Sequence, residues 1–578
     1  MRQERLGVGT VAGRVRLRRG PLYAAVVVLL LAEMAFAMVT AALQQTPTTD
    51  EPVYVGTAVV YLQQHSLRYN AEHPPLGKLI MEAGLAFAHP RLDPGFVGDH
   101  WALGKHLLYE SGNDPWRLMF LARLPIIVLT LLFGLVVLAF ARDLTGPAGG
   151  LIALTLYAFS PDLITHGSLA TLDVPAAGFL VTALWLTWRA RDRPRRYLPL
   201  AGLALGAALA TRMSVLPAVP VVLVLAAVAV LSRPAALPGS TASTGSTVLS
   251  ASAALAASAA LPVSATPQGS RRRAWLRGLV VAGGVGVIAT AVVWASYLAV
   301  DPRLTWVTPA DLPAVHGLRA LAADLVPFPA PYRDGMRIQF GIEDATFDGF
   351  LFGRLYQGSL WYYLPAALLV KTPLGALALW LAGGATMLRR LRTATAYVLL
   401  PALVLLLAAL PGARDFGVRY VIVLPMLLAV AASAAALWRP RWARVATLAL
   451  LAFVAVSSIR TYPYYLPYSN EAFGGPAKTY LRLHDSNSDW GQDLGRLADR
   501  LRERYPADRI WLVYKGNGVP AYYGIVAADP TTVPPDQVHG IVAISDDAID
   551  KAGPGLKALI ASSTPVDTVG HSITIFRR

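Results

Sequence analysis

The chain has 578 residues, a mean hydropathy of +0.48, 15% charged residues and no cysteine. These values exclude an ordinary soluble protein and point to a polytopic membrane protein, and without cysteine there is no disulfide framework and no thiolate metal site. The net charge of +16 does not mark a nucleic-acid binder, because the arginines cluster between alternate apolar runs, as the positive-inside rule requires of a chain set among membrane lipids.

A crossing needs about 20 apolar residues, and eleven candidates follow in chain order. Residues 1–21 are basic (Arg14, Arg16, Arg18, Arg19) and read as a cytoplasmic N-terminus ahead of the first span, 22–43. Residues 44–115 form the first outer loop, within which 73–89 is amphipathic and reads as a short helix along the membrane face. Spans then fall at 117–140, 148–160, 174–188, 198–210 and 215–231. Residues 233–270 are rich in Ala, Ser, Thr, Pro and Gly and lead into Arg271–Arg273, so 233–274 has the composition of a disordered cytoplasmic linker. Span seven is 275–300, followed by an outer loop at 301–359. The last four spans are 360–388, 395–410, 418–437 and 445–459. With this count every Arg-dense connection falls on one side, the N-terminus is inside, and 22–460 is the membrane domain.

Residues 461–578 are soluble-like and fall outside. Leu494, Leu497 and Leu501 repeat at helical spacing, and 509–514, 540–545 and 571–576 read as strands, so this segment is a small extracytoplasmic α/β domain.

The same topology gathers ionisable residues on the outer face. The first loop supplies Asp50, Glu51, Glu72, His73 and Lys78; the second supplies Asp162, His166 and Asp173; later segments add Arg212, Lys371, Arg419 and Tyr420. Each has a plainer reading. Asp50 and Glu51 suit a helix start, Asp173 precedes Val174-Pro175 as a cap would, and Lys371 has a stem long enough to snorkel. Polar groups at a membrane boundary are nevertheless costly when idle. A carboxylate beside Arg and Lys suits group transfer from an anionic leaving group: the acid takes the acceptor's proton and the cations hold the departing phosphate. No P-loop, GxGxxG or HExxH pattern is present. No cofactor is called for, and a divalent metal is left open; Asp485, Asp489 and Asp493 read as a solvated helix start and turn rather than a metal cluster.

Asp50-Glu51 after the first span, HPPLGK at 73–78, TLDVP at 171–175 and Arg419-Tyr420 followed by Leu424-Pro425 resemble the superfamily of dolichyl-phosphate-mannose–protein mannosyltransferases and lipid A aminoarabinose transferases. SPDLITHGSLATLD, WYYLPAALLVKTPL at 361–374 and YSNEAFGGP followed by DSNSDWGQDL are similar to bacterial phospholipid-carrier-dependent glycosyltransferases. The resemblance implies the all-α GT-C fold of about eleven transmembrane helices, N-in and C-out, matching the span count. It implies inverting transfer of a hexose or pentose, mannose among them, from a polyprenyl-phosphate sugar at the outer face of the cytoplasmic membrane. By the resemblance Asp50 is the catalytic base, Asp173 helps hold acceptor or donor, and Arg419 and Lys371 bind the polyprenyl phosphate; the outer-face grouping adds Glu51 to the catalytic acids and His73, Lys78, Arg212 and Tyr420 to the substrate-binding set. The acceptor, a glycan, lipid or protein, is open, and no late-loop β-trefoil is present to favour protein. A transporter or flippase of the same lipids is the competing reading. It would show paired internal repeats, which the sequence lacks.

Overall fold

A computed structural model describes residues 19–231 and 268–578. The basic stretch before residue 19 and the linker up to residue 267 lie outside the described residues.

The membrane body is helical. Helix α1 (Arg19–Gln44) leads to three helices within residues 44–115, α2 (Glu51–Gln64), α3 (Leu76–Leu85) and α4 (His100–Tyr109). Helix α3 buries Gly77, Lys78, Met81, Gly84 and Leu85, so its amphipathic face packs on protein. Met81 and Leu85 join Val55, Val59, Leu107, Met119 and Ala122 in one cluster.

Helix α5 (Pro115–Ala158) holds the second and third expected spans. Gly146 breaks it with φ 81°, a left-handed value that glycine adopts without steric cost, and Pro147 then starts a new helix. The chain folds back there, because the Tyr157 hydroxyl donates to the Thr130 carbonyl at 2.7 Å. The short α6 (Pro161–Gly167) precedes α7 (Asp173–Ala190), α8 (Pro194–Thr211) and α9 (Ala218–Leu231), and α10 is Gln268–Val300.

The segment 301–359 is more structured than its polar, Pro-rich sequence implies. It forms α11 (Gly317–Leu325), α12 (Ala330–Glu343) and a hairpin of β1 (Asp348–Leu351) and β2 (Arg354–Gln357).

The eighth expected span is broken. Helix α13 (Tyr363–Lys371) and α14 (Leu374–Arg390) meet at 117° across Thr372-Pro373, because a proline cannot donate to the preceding turn. Helices α15 (Arg392–Ala409), α16 (Val423–Ala432) and α17 (Arg441–Thr461) complete the body.

Among the described residues five helices are long and apolar enough to cross a membrane, and the bent α13–α14 pair makes a sixth. The other expected spans fall on helices that are shorter or end in charged residues. The chain is a multi-pass membrane protein. Several Arg-rich ends meet at one end of the bundle. Arg189 Nε donates to Asp143 at 2.7 Å, Thr145 bonds Ser433, and Arg390 donates to the Leu437 carbonyl.

The C-terminal part folds as expected, with one strand added. Helix α18 (Leu494–Arg504) buries Leu494, Leu497 and Leu501 on a four-stranded sheet. The strands are β3 (Ile510–Val513), β4 (Ile541–Ser545), β5 (Thr564–Val569) and β6 (Ile573–Arg577), in the order β3-β4-β6-β5. Strands β3 and β4 are parallel and the rest antiparallel. Helices α19 (Asp546–Asp550) and α20 (Pro554–Ala561) connect β4 to β5. Strand β5 escapes the sequence reading because TPVDTV is mostly exposed, an edge strand with little apolar alternation.

Candidate active site

Asp50 sits at the N-cap position of α2, but its side chain makes no capping bond. Its Oδ2 instead accepts from Arg419 Nη1 at 2.5 Å. Arg419 lies in the short helical turn Val418–Val421 between α15 and α16, and its guanidinium stacks 4.4 Å from the Trp490 ring centroid. Trp490 is itself 1% exposed.

Two further arginine–carboxylate pairs stand close by. Arg212, at the C-cap of α8, pairs with Asp173 in the first turn of α7. Arg414 pairs with Glu343 at the end of α12 at 2.6 Å. The Tyr420 ring collects all three cations, with Arg419, Arg212 and Arg414 at 5.1, 5.6 and 5.8 Å from its centroid. An aromatic face attracts each of them by its quadrupole.

The three arginines, Asp173, Glu343 and Tyr420 line one cavity of about 510 Å³, and Asp50 meets it through Arg419. His73, Asp173, Arg212, Arg414, Arg419 and Tyr420 form its polar part. Leu180, Val326, Leu364, Leu405, Ile422 and Val423 form an apolar wall. The His73 Nδ1 is buried without a hydrogen-bond partner. Burial, and then the charge of Arg212, push its pKa well below the usual imidazole value, so the ring is neutral at pH 7.

Other residues singled out in the sequence sit behind this cavity. Glu51 is fully buried, and both its oxygens are taken. Arg123 grips it from two nitrogens at 2.7 and 2.6 Å, the Ala170 amide donates at 2.7 Å, and the Thr48 amide and hydroxyl donate at 2.9 and 3.0 Å. Lys78 donates to Asn70 O, Asn70 Oδ1 and His73 O at 3.0, 3.0 and 2.8 Å, which fixes the turn carrying His73. Lys371 ends α13 and donates to the Leu466 and Asn487 carbonyls at 2.5 and 2.8 Å, with Asp162 at 3.6 Å. The structure therefore brings Asp50, His73, Asp173, Arg212, Arg419 and Tyr420 together. It places Glu51, Lys78 and Lys371 in the frame around them.

The frame includes a strap the sequence reads differently. It spans residues 484–493, where the sequence reads Asp485, Asp489 and Asp493 as a solvated helix start and turn, yet Asp489 and Asp493 are each 1% exposed. The strap is stitched to the first loop by Thr49 N to Trp490 O at 3.0 Å and to the Arg419 turn by Val418 N to Asn487 Oδ1 at 3.2 Å. Its local signal was Trp490 and Asn487 among acids, side chains that a solvated turn does not need. Arg414, Glu343 and Arg123 also went unmarked. Arg414 stands five residues before Arg419 in the same outer segment, and that proximity was the available cue. Among the described residues no group of three or more His, Asp or Glu side chains is arranged to hold a metal ion.

This geometry gives a cavity with acids, arginines and an apolar wall at one end of a helical membrane body. Residues 117–254 match the family model for dolichyl-phosphate-mannose-protein mannosyltransferases. The match runs from α5 through α9 and takes in Asp173 and Arg212. It falls in the superfamily that the sequence motifs resemble. Among solved structures the chain is similar to ArnT from Cupriavidus metallidurans in the apo state, at 14% identity and a TM-score of 0.47 over 96% of this chain and 98% of that one. It is similar to the same protein bound to undecaprenyl phosphate at 14% identity and 0.44, over 95% and 97%. The S. cerevisiae protein O-mannosyltransferase Pmt1-Pmt2 complex bound to the sugar donor aligns at 16% identity and 0.31, over 48% of this chain and 35% of that one. No curated protein sequence matches the chain.

Proposed function

We propose that the protein is a membrane glycosyltransferase that moves a sugar from a polyprenyl-phosphate donor to an acceptor hydroxyl at the outer face of the cytoplasmic membrane. The observation that carries this reading is the cavity in which Arg212, Arg419 and Tyr420 meet an apolar wall, with Asp50 ion-paired to Arg419 at its edge. The arginines suit a phosphate, the apolar wall suits a prenyl chain, and the carboxylate suits a hydroxyl.

In this reading Arg419 and Arg212 bind the donor phosphate, Arg419 by the fork of its guanidinium. The acceptor hydroxyl approaches the anomeric carbon from the side opposite the phosphate, and Asp50 takes its proton as the new C–O bond forms. The bond to the phosphate oxygen breaks, the electron pair leaves with the polyprenyl phosphate, and the anomeric centre inverts. Asp173 holds Arg212, neutral His73 offers its free Nδ1 to a sugar hydroxyl, and Tyr420 spaces the cations. Glu51, clamped by Arg123, positions the start of α2 and so Asp50. Lys371 and Lys78 position the strap and the His73 turn.

The test is transfer from a radiolabelled polyprenyl-phosphate sugar in proteoliposomes. The wild type should release polyprenyl phosphate and label an acceptor, and Asp50→Asn should not. Near-normal turnover by Asp50→Asn would remove the assignment.

A further inference from the structure

Helix α11 presents a face that the protein does not cover. Leu318, Leu321 and Leu325, at helical spacing, are 84%, 52% and 71% exposed, and only Ala323 of this helix is buried. Three exposed leucines on one stripe of a nine-residue helix need a cover. The polar residues turn away from that stripe. Arg319 Nη1 donates to Asp344 at 2.6 Å, and Asp324 accepts from Arg337 at 2.7 Å.

The cover is indicated by what α11 is tied to. The indole Nε1 of Trp294 donates to the Pro327 carbonyl, two residues past the helix, at 2.8 Å. Trp294 belongs to α10, one of the helices long and apolar enough to cross a membrane, and both it and Leu298 are exposed on the flank of that helix. Trp294 lies six positions before Val300, the end of α10, which at 1.5 Å per residue sets the tie about 9 Å inside the outer end of the span. The leucine stripe thus continues the lipid-facing surface of α10 at interfacial depth. An amphipathic helix at that depth buries its apolar face in the headgroup–acyl boundary.

The adjacent face of α11 looks the other way. Arg319 and Ala322, with Val326 just beyond, line the cavity of the candidate site. Lipid and cavity therefore lie on two sides of one thin helix.

We infer that α11 is an interfacial helix seated in the outer leaflet, and that it forms the wall between the membrane lipid and the cavity. This deepens the proposed function, since it supplies the side from which a lipid-linked substrate reaches Arg212 and Arg419. The depth of α11 does not depend on which reaction the cavity performs.

The chain has no cysteine, so single-cysteine variants carry no background. Spin labels at Leu318→Cys, Leu321→Cys and Leu325→Cys, in the full protein in nanodiscs, are compared for collision with oxygen and with a water-soluble nickel chelate. Leu298→Cys on α10 is the lipid reference, and Val526→Cys, at a position 90% exposed in the C-terminal domain, is the water reference. The expected result is that all three α11 labels favour oxygen over nickel as Leu298→Cys does. Labels that favour nickel as Val526→Cys does would place α11 in water and overturn the inference. Labels shielded from both reagents would mean a protein cover, such as a second copy of the chain, and would overturn it equally. The readout needs no turnover, so an inactive preparation with lipid-seated labels would count against the proposed reaction and not against the seat of α11.

Discussion

Asp50 and Arg419 are 369 residues apart in sequence and 2.5 Å apart in space, carboxylate Oδ2 against guanidinium Nη1. The pair links the proposed base directly to the proposed phosphate ligand. In the proposed reaction, a donor phosphate that recruits Arg419 would draw its hydrogen bonds away from Asp50, and the freed lone pairs would become available to the acceptor hydroxyl. Binding of one substrate would thereby prepare the group that activates the other.

The first prediction is that Asp50→Asn lowers transfer by about 10²–10⁴-fold, the usual contribution of a general base. Donor affinity should not fall, because the neutral amide fills the place of the acid and competes less with the phosphate for Arg419. Donor titration alongside single-turnover rates separates the two effects.

Arg419→Ala should act on the other quantity. It removes a charged hydrogen-bond donor from the phosphate and should weaken donor binding by about 1.5–3 kcal/mol. Arg419→Lys should restore only part of this, since the bidentate fork is lost. Trp490→Leu takes away the ring 4.4 Å from the guanidinium and should weaken donor binding in the same direction by a smaller amount. Titration of each variant with a polyprenyl-phosphate analogue in nanodiscs is the check, and unchanged affinity in Arg419→Ala would move the phosphate toward Arg212 and Arg414.

Glu51 is next to Asp50 in sequence and should behave differently. Both it and Arg123 are fully buried, and their ion pair is closed on every side. Arg123→Met leaves a buried charge without its partner, at a cost of about 3–5 kcal/mol. The expected result is a lower unfolding temperature and poor recovery in detergent, with the surviving folded fraction near wild-type in donor affinity. Lys371→Met should follow the same pattern, because its ammonium is satisfied by the Leu466 and Asn487 carbonyls rather than by the cavity.

These contrasts show what the sequence could carry. Hydropathy and arginine placement located most of the helices, because spanning length and charge asymmetry are properties of local sequence. The proline after Lys371 was visible, but the 117° bend between α13 and α14 depends on what the broken end packs against. At the site, the sequence picked out the outer-face ionisable residues by topology alone. It could not separate those paired with the cavity's arginines from those behind them, since Asp50 and Glu51 differ by one position and 100° of helix. Direction is set by partners from elsewhere in the chain, Arg123 for one and Arg419 for the other. Trp490 was hidden for a related reason: a polar strap looks solvated until the backbone groups that receive its side chains are known.

The last prediction concerns the acids under that strap. Lys515, just after β3, bridges Asp485 at 2.9 Å and Asp547 at 2.5 Å, and His484 lies 3.3 Å from the same Asp547. Burial raises the Asp547 carboxyl, but His484 and the charge of Lys515 outweigh it and hold Asp547 below the usual carboxylate range. Asp550, one turn further on α19, has no such partner. Burial, and then the negative charge of Asp547, raise it to about 9, and its Oδ2 is without a hydrogen bond. At neutral pH the folded domain thus keeps a proton on Asp550 that the unfolded chain, with a carboxyl near 3.9, has already released. A folded state that binds more protons loses stability as pH rises. The contribution of Asp550 is whole below about pH 4 and has been lost once pH has risen through about 9. Asp550→Asn cannot ionise, so its unfolding temperature should match the wild type at pH 4, exceed it increasingly toward pH 9, and hold a constant lead above that. Thermal unfolding followed across this range measures the difference, and an Asn variant with no growing lead would mean that Asp550 is ionised in the folded domain at neutral pH.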